Sequence, residues 1–173
     1  MKASTFWKTI VADRSDFLDR IITLLEEQDV RYCVIGGQGV NAYADPVVSL
    51  DLDIVVAVEQ IAQLEALLAR DFKVERFEHS LNVSAYGSDL RLQVQTDPRY
   101  FDFVERAQTR DVLGLELRVA DVADVLQGKI WAASDPSRRS SKRLKDFADI
   151  ARIVEVYPTL IDLVPAEIRE RIA

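Results

Sequence analysis

From Phe17 onward the apolar positions Phe17, Leu18, Ile21, Ile22, Leu24 and Leu25 recur at helical spacing, which predicts an amphipathic helix capped by Asp16 or Ser15. The run RYCVIGG (31–37) reads as a short apolar strand ended by Gly36-Gly37. QGVNAYA (38–44) predicts a short helix that closes at Asp45-Pro46, since proline disfavours helix at the residue before it. Alternation in SLDLDIVV (49–56) predicts a strand, and EQIAQLEALLARD (59–71) predicts a helix with Ile61, Leu64, Leu67 and Leu68 inward. FKVERFE, LNVSAYG and DLRLQVQ predict three alternating strands, the last two joined at Gly87-Ser88. PRYFDFVERA (98–107) predicts a helix started by Pro98, and RDVLGLELRVA (110–120) a hairpin around Gly114. Beyond Asp121 the period is helical in DVADVLQGKIWAAS and SKRLKDFADIARIVEVYP, with the loop DPSRRSS between them and short pieces around Pro158 and Pro165.

Strands fill the first two thirds and helices the last, so the expected class is α+β with a mixed sheet and a helical C-terminal part. No repeat, low-complexity tract or long linker interrupts the pattern. The expectation is one domain over 1–173, with an α/β core to about 120 and a helical part from about 121. A composition 49% hydrophobic and 29% charged supports a compact core. The single cysteine, Cys33, excludes an internal disulfide and alternates into the apolar side of its strand. No apolar run approaches a membrane span and the N-terminus lacks a signal-like apolar stretch, so a cytoplasmic protein with no membrane partner is expected. A net charge of −7 argues against wholesale coating of nucleic acid, while leaving room for a local basic site.

The chemistry begins in SLDLDIVV. Leu50, Leu52, Ile54 and Val56 share one face of the strand, and Ser49, Asp51 and Asp53 share the other. The two carboxylates then sit roughly 7 Å apart along the strand, close enough for their oxygens to converge on a hard cation. Magnesium takes one or two protein carboxylates plus phosphate oxygens. The plainer alternative is a solvated outer face of an edge strand. Gly36-Gly37 shifts the balance, because residues without Cβ let backbone amides approach a phosphate closely.

With those residues in place, YCVIGGQGVNAYADPVVSLDLDIVV resembles the signature of the DNA polymerase β-like nucleotidyltransferase superfamily: strand, Gly-Gly, short helix, then a strand with Asp-x-Asp. Within it the chain is most similar to the minimal AbiEii toxin-like group, where a small hydroxyl residue, here Ser49, precedes the acidic pair. LELRVADVADVLQGKIWAA and RSSKRLKDFADIARIV resemble that group's helical region, so the likeness spans roughly residues 15–156. The resemblance implies that Gly36 and Gly37 cradle a nucleoside triphosphate, with Ser49 as a further phosphate contact. It implies that Asp51 and Asp53 hold Mg2+, that Lys129 reaches the phosphates, and that Lys145 and Asp146 complete the wall behind them. The implied reaction moves a nucleoside monophosphate to a hydroxyl of RNA, tRNA above all, or of a protein, as in the toxin of a toxin–antitoxin system.

Two positions depart from the pattern. Many members carry a third carboxylate on a later strand, where this chain has Gln93; an amide cannot take a proton as a carboxylate does. Asp89 and Asp97 flank that strand, each about 13 Å from Gln93 along it, too far to substitute. An arginine that often stands two residues before the hydroxyl is replaced by Val47. These gaps leave a rival reading, a catalytically degenerate fold that binds a nucleotide, RNA or partner protein. A third reading, an antitoxin-like partner of a basic toxin, accounts for the acidity and not for the glycine and aspartate spacing.

Arg138, Arg139, Lys142, Arg143 and Lys145 form a dense positive cluster that suits phosphate or RNA, or else a solvated helix face balancing Asp146 and Asp149. Lys145 and Asp149 are spaced to pair within one helix. His79 is expected at the surface, and Trp7 and Trp131 in packing.

Overall fold

In a computed structural model, residues 16–173 are described; the expected cap Ser15 and Trp7 lie outside them. The first helix of the described residues, α1 (Phe17–Glu27), buries Phe17, Leu18, Ile21 and Leu25 and starts from Asp16. β1 (Tyr32–Ile35) runs directly into α2 (Gly36–Asn41), so the two glycines form the first turn of the helix and not a loop ahead of it. β2 is Asp51–Val56, and a 3-10 turn, Val58–Gln60, leads into α3 (Ile61–Asp71) with Leu64 and Leu68 buried. β3 (Lys73–Phe77), β4 (Ser80–Ser84) and β5 (Arg91–Gln95) follow.

The segment expected as a helix from Pro98 is a 3-10 helix, Pro98–Val104, with Asp97 capping it by accepting from the Arg99 amide. β6 (Gln108–Val112) and β7 (Leu115–Val119) form the expected hairpin; Leu113 and Gly114 both have positive φ, as a tight turn matched to strand twist requires. α4 (Val122–Ser134) is capped by Asp121, whose carboxylate accepts from the Ala123 amide. α5 (Ser140–Val156), a 3-10 helix (Pro158–Leu163) and α6 (Ala166–Ile172) complete the helical C-terminal part.

The seven strands of the described residues make one mixed sheet in the order β3-β4-β5-β2-β1-β7-β6. β2 pairs antiparallel with β1 and parallel with β5; β1 pairs parallel with β7. The acid-bearing strand is therefore at the centre of the sheet, which excludes the edge-strand alternative. Its Leu52, Ile54, Val55 and Val56 are all buried, and each such side chain contributes about 1.5–3 kcal/mol against exposure. Cys33 is buried in this core, where burial pushes its thiol up to about 12, so it packs and does not react. Trp131 stacks on Phe103 at 5.8 Å and meets Tyr100 edge-on, a packing role, and His79 is exposed in the β3–β4 turn. α4 and α5 pack on each other and on α2, which places the C-terminal helices over one end of β1 and β2. No helix among the described residues is long and apolar enough to cross a membrane.

Candidate active site

The end of β1, the start of β2 and the facing sides of α4 and α5 enclose a cleft. Gly36, Asp51, Asp53, Gln93, Lys129, Arg138, Lys142 and Asp146 line it, together with Gln95 and Tyr100. Five of the eight residues singled out in the sequence thus share one wall or another of this cleft. The other three, Gly37, Ser49 and Lys145, meet beside it: a Cβ added to Gly37 would stand 3.3 Å from the Ser49 hydroxyl and 3.9 Å from the Lys145 ammonium.

Gly36 explains its own identity. Its φ is +65°, and a Cβ there would fall 2.1 Å from Asp53 Oδ2. The chain can turn from β1 into α2 with Asp53 behind it only if that side chain is a hydrogen. Ser49 precedes β2 instead of belonging to it, and its carbonyl accepts from buried Gln38 Nε2 at 3.1 Å. Asn41 holds the same loop, donating to the Val47 carbonyl and accepting from the Val47 amide. The hydroxyl that the sequence placed on the strand face is therefore positioned by α2.

Asp51 and Asp53 differ in surroundings. Asp51 bonds Arg91 Nε at 3.0 Å, its register partner on β5. Asp53 is held deeper; burial and then the Asp51 carboxylate push it up to about 6, against the pull of Lys129, Arg138 and Lys145. A carboxylate under that stress has unmet demand for a cation. Among the described residues no group of three or more His, Cys, Asp or Glu side chains gathers as a metal centre. The acid pair nonetheless fits Mg2+, which needs no more than two carboxylates when phosphate oxygens complete its shell.

Lys129 and Asp146 lie behind this pair. Lys129 is 7% exposed, and its ammonium is 3.1 Å from Asp146 and 2.7 Å from Asp149. Burial opposes the Lys129 charge, yet Asp149 and Asp146 outweigh it and hold its pKa above the ordinary lysine value. Arg138 reaches Asp146 at 2.6 Å, and Arg152 reaches Asp149 at 2.8 Å and the Asn41 side chain at 3.0 Å. Three cations against two carboxylates leave this buried network one positive charge in excess, beside the acid pair. Asp149 is thus engaged by Lys129 and Arg152, and of the two uses that spacing allowed Lys145, the pair with Asp149 does not form; Lys145 lies at the Gly37–Ser49 end.

The basic cluster divides. Arg138 and Lys142 face the cleft and Arg139 is exposed at the start of α5, while Arg143 Nε donates to the Ala133 carbonyl near the end of α4. Arg91 and Arg152 escaped sequence reasoning, and Asp149 was legible only as a helix-face acid and not as a partner of Lys129. Only the strand register reveals Arg91, and only the approach of α5 to α2 reveals Arg152. Gln93 sits directly beside Asp53 in the β2–β5 register, as the alignment of the strands implied.

No protein-family model and no curated protein matches the chain. Solved structures do. The antibiotic-resistance factor ANT(2'')-Ia superposes in solution with TM-score 0.65 at 14% identity over 97% of this chain and 94% of that one. The same factor in complex with adenylyl-2''-tobramycin gives 0.62 at 16% identity, over 90% and 97%. The lincosamide antibiotic adenylyltransferase LnuA, lincomycin-bound, gives 0.57 at 13% identity, over 82% and 99%. The chain has the nucleotidyltransferase fold, a mixed sheet followed by a helical C-terminal part.

Proposed function

We propose that the chain is a magnesium-dependent nucleotidyltransferase that moves a nucleoside monophosphate from a nucleoside triphosphate to an acceptor hydroxyl. The observation that carries this reading is the convergence of Asp51 and Asp53 with Gly36, Arg138 and Lys142 on one cleft. The Gly37 backbone, Ser49 and Lys145 offer donors for the outer phosphates at its edge. Asp51 and Asp53 would hold the ion, which when bound supplies positive charge to the phosphate oxygens. Arg138, Lys142 and Lys145 would orient the triphosphate and balance the charge that develops as pyrophosphate leaves. Lys129 and Asp146 act from behind, fixing Arg138 and the local field. The AbiEii-type resemblance would make the acceptor an RNA or protein hydroxyl in a toxin–antitoxin setting, the reading against which a small-molecule acceptor is argued below.

Asp53→Ala is the test. Labelled nucleotide should appear in an acceptor fraction with wild-type protein and magnesium, and disappear with the folded variant; transfer retained by Asp53→Ala ends the assignment. Gln93 favours a second reading, a fold that binds nucleotide without transferring it, because the β5 position beside Asp53 carries an amide and not a third carboxylate. Calorimetry separates the two: magnesium-dependent nucleotide binding without pyrophosphate release belongs to the second.

A further inference from the structure

The acid pair is one corner of a larger surface. Register places Asp53, Gln93, Asn82 and Glu75 in one row across four strands, with Asp51, Arg91, Ser84 and Lys73 in a parallel row and Val55, Gln95, Ser80 and Phe77 in another. Paired residues project to the same side of a sheet, so these rows share the cleft face, while Leu81, Val83, Leu92 and Val94 fill the core opposite. From β2 to β3 this face extends for about 14 Å, three strand spacings. We propose that this open face binds the acceptor, and that the acceptor is a neutral, hydroxyl-rich small molecule of the glycoside or polyol class. The inference rests on the nucleotidyltransferase reading above.

Charge decides the class. The middle of the face is made of Gln93, Gln95, Asn82, Ser80 and Ser84, amides and hydroxyls that both donate and accept, as a ligand hydroxyl does. Apart from Asp53, which the ion would take, the charges at its margins are paired: Arg91 lies 3.0 Å from Asp51, and Lys73 lies 3.1 Å from Glu75. A polyanion such as RNA needs an excess of cations along its path. A polycationic acceptor needs an excess of acids. This surface supplies neither. Asn82 Oδ1 is buried with no hydrogen-bond partner among the described residues, an acceptor that a ligand hydroxyl would satisfy. Phe77, exposed at the far end, offers an aromatic face to the apolar side of a sugar ring. In the transfer, the acceptor oxygen bonds the α-phosphorus, the bond from that phosphorus to the bridging oxygen breaks, and pyrophosphate departs. The hydroxyl proton passes to solvent, since Gln93 offers an amide and no base.

The full chain would be incubated with magnesium, each labelled nucleoside triphosphate, and in parallel methyl glucoside, trehalose, sorbitol, tobramycin or total tRNA. Nucleotide binding would be measured separately by calorimetry. Label on a neutral probe is the expected result. Asn82→Leu should then raise the KM for that probe about tenfold, the worth of one hydrogen bond, with nucleotide Kd unchanged. Ser84→Ala, which removes only a hydroxyl, should raise it in the same direction if Asn82→Leu perturbs folding. Label on tobramycin or tRNA with the neutral probes blank overturns the acceptor class and leaves the transfer reading standing. Nucleotide binding with no probe labelled also overturns it, and loss of magnesium-dependent nucleotide binding overturns the underlying reading instead.

Discussion

At the scale of single residues, Asp53 sets function against stability. Its carboxyl titrates near 6 in the fold and near 3.8 when unfolded, so its contribution to stability is complete below 3.8 and is lost as pH rises through 6. The shift amounts to roughly 3 kcal/mol at most. Asp53→Asn should therefore stabilise the metal-free chain by up to that amount at pH 8 and by nothing near pH 3, while abolishing transfer; urea unfolding in chelator across that range checks it. Gly36→Ala should behave oppositely, losing both stability, by about 1–3 kcal/mol, and nucleotide binding, because its Cβ collides with Asp53 in a left-handed backbone. Both residues were legible in the sequence as a Gly-Gly ahead of Asp-x-Asp. Their mutual dependence was not, because the collision lies across the β1–β2 pairing, and no local pattern encodes it.

Among elements, the join of α4 to α5 is ionic where most helix contacts are apolar. Lys129 alone links Asp146 to Asp149, with Arg138 and Arg152 closing the two ends. Removing one member of a buried pair leaves uncompensated charge, so Lys129→Met should cost about 3 kcal/mol in chemical unfolding. A loss under 1 kcal/mol would show that the arginines suffice. The sequence placed a lysine on the first helix and acids on the second, and it predicted both helices closely. Helical spacing left Lys145 two uses, the phosphate site or a pair with Asp149 on the same helix. The structure instead spends Asp149 on other elements, which frees Lys145 for the glycine turn. Helical periodicity likewise misread Pro98–Val104, where the tighter 3-10 winding follows Asp97 and Pro98.

Over the whole molecule, an acidic chain gathers a local cluster of positive charge, Lys129, Arg138 and Lys142, where the triphosphate is proposed to lie, so binding should weaken with salt. Saturating magnesium nucleotide, at 100 times its Kd, should stabilise the fold by about 2.7 kcal/mol, read as a rise in melting temperature that Asp53→Ala abolishes. The class and element order were visible in the alternation of strands and helices; the central place of β2 was not, since it depends on pairing with β5 forty residues on, Asp53 beside Gln93. That central place has a dynamic consequence. An interior strand with both neighbours paired releases its amide protons only when the sheet itself opens, whereas short helices and loops open locally. In hydrogen exchange, amides of Leu52 to Val56 should be among the slowest with or without ligand, and protection on adding magnesium nucleotide should appear in α2 and the first turn of α5. The acids would then be standing in position before any substrate arrives, carried by the part of the molecule that lets go last.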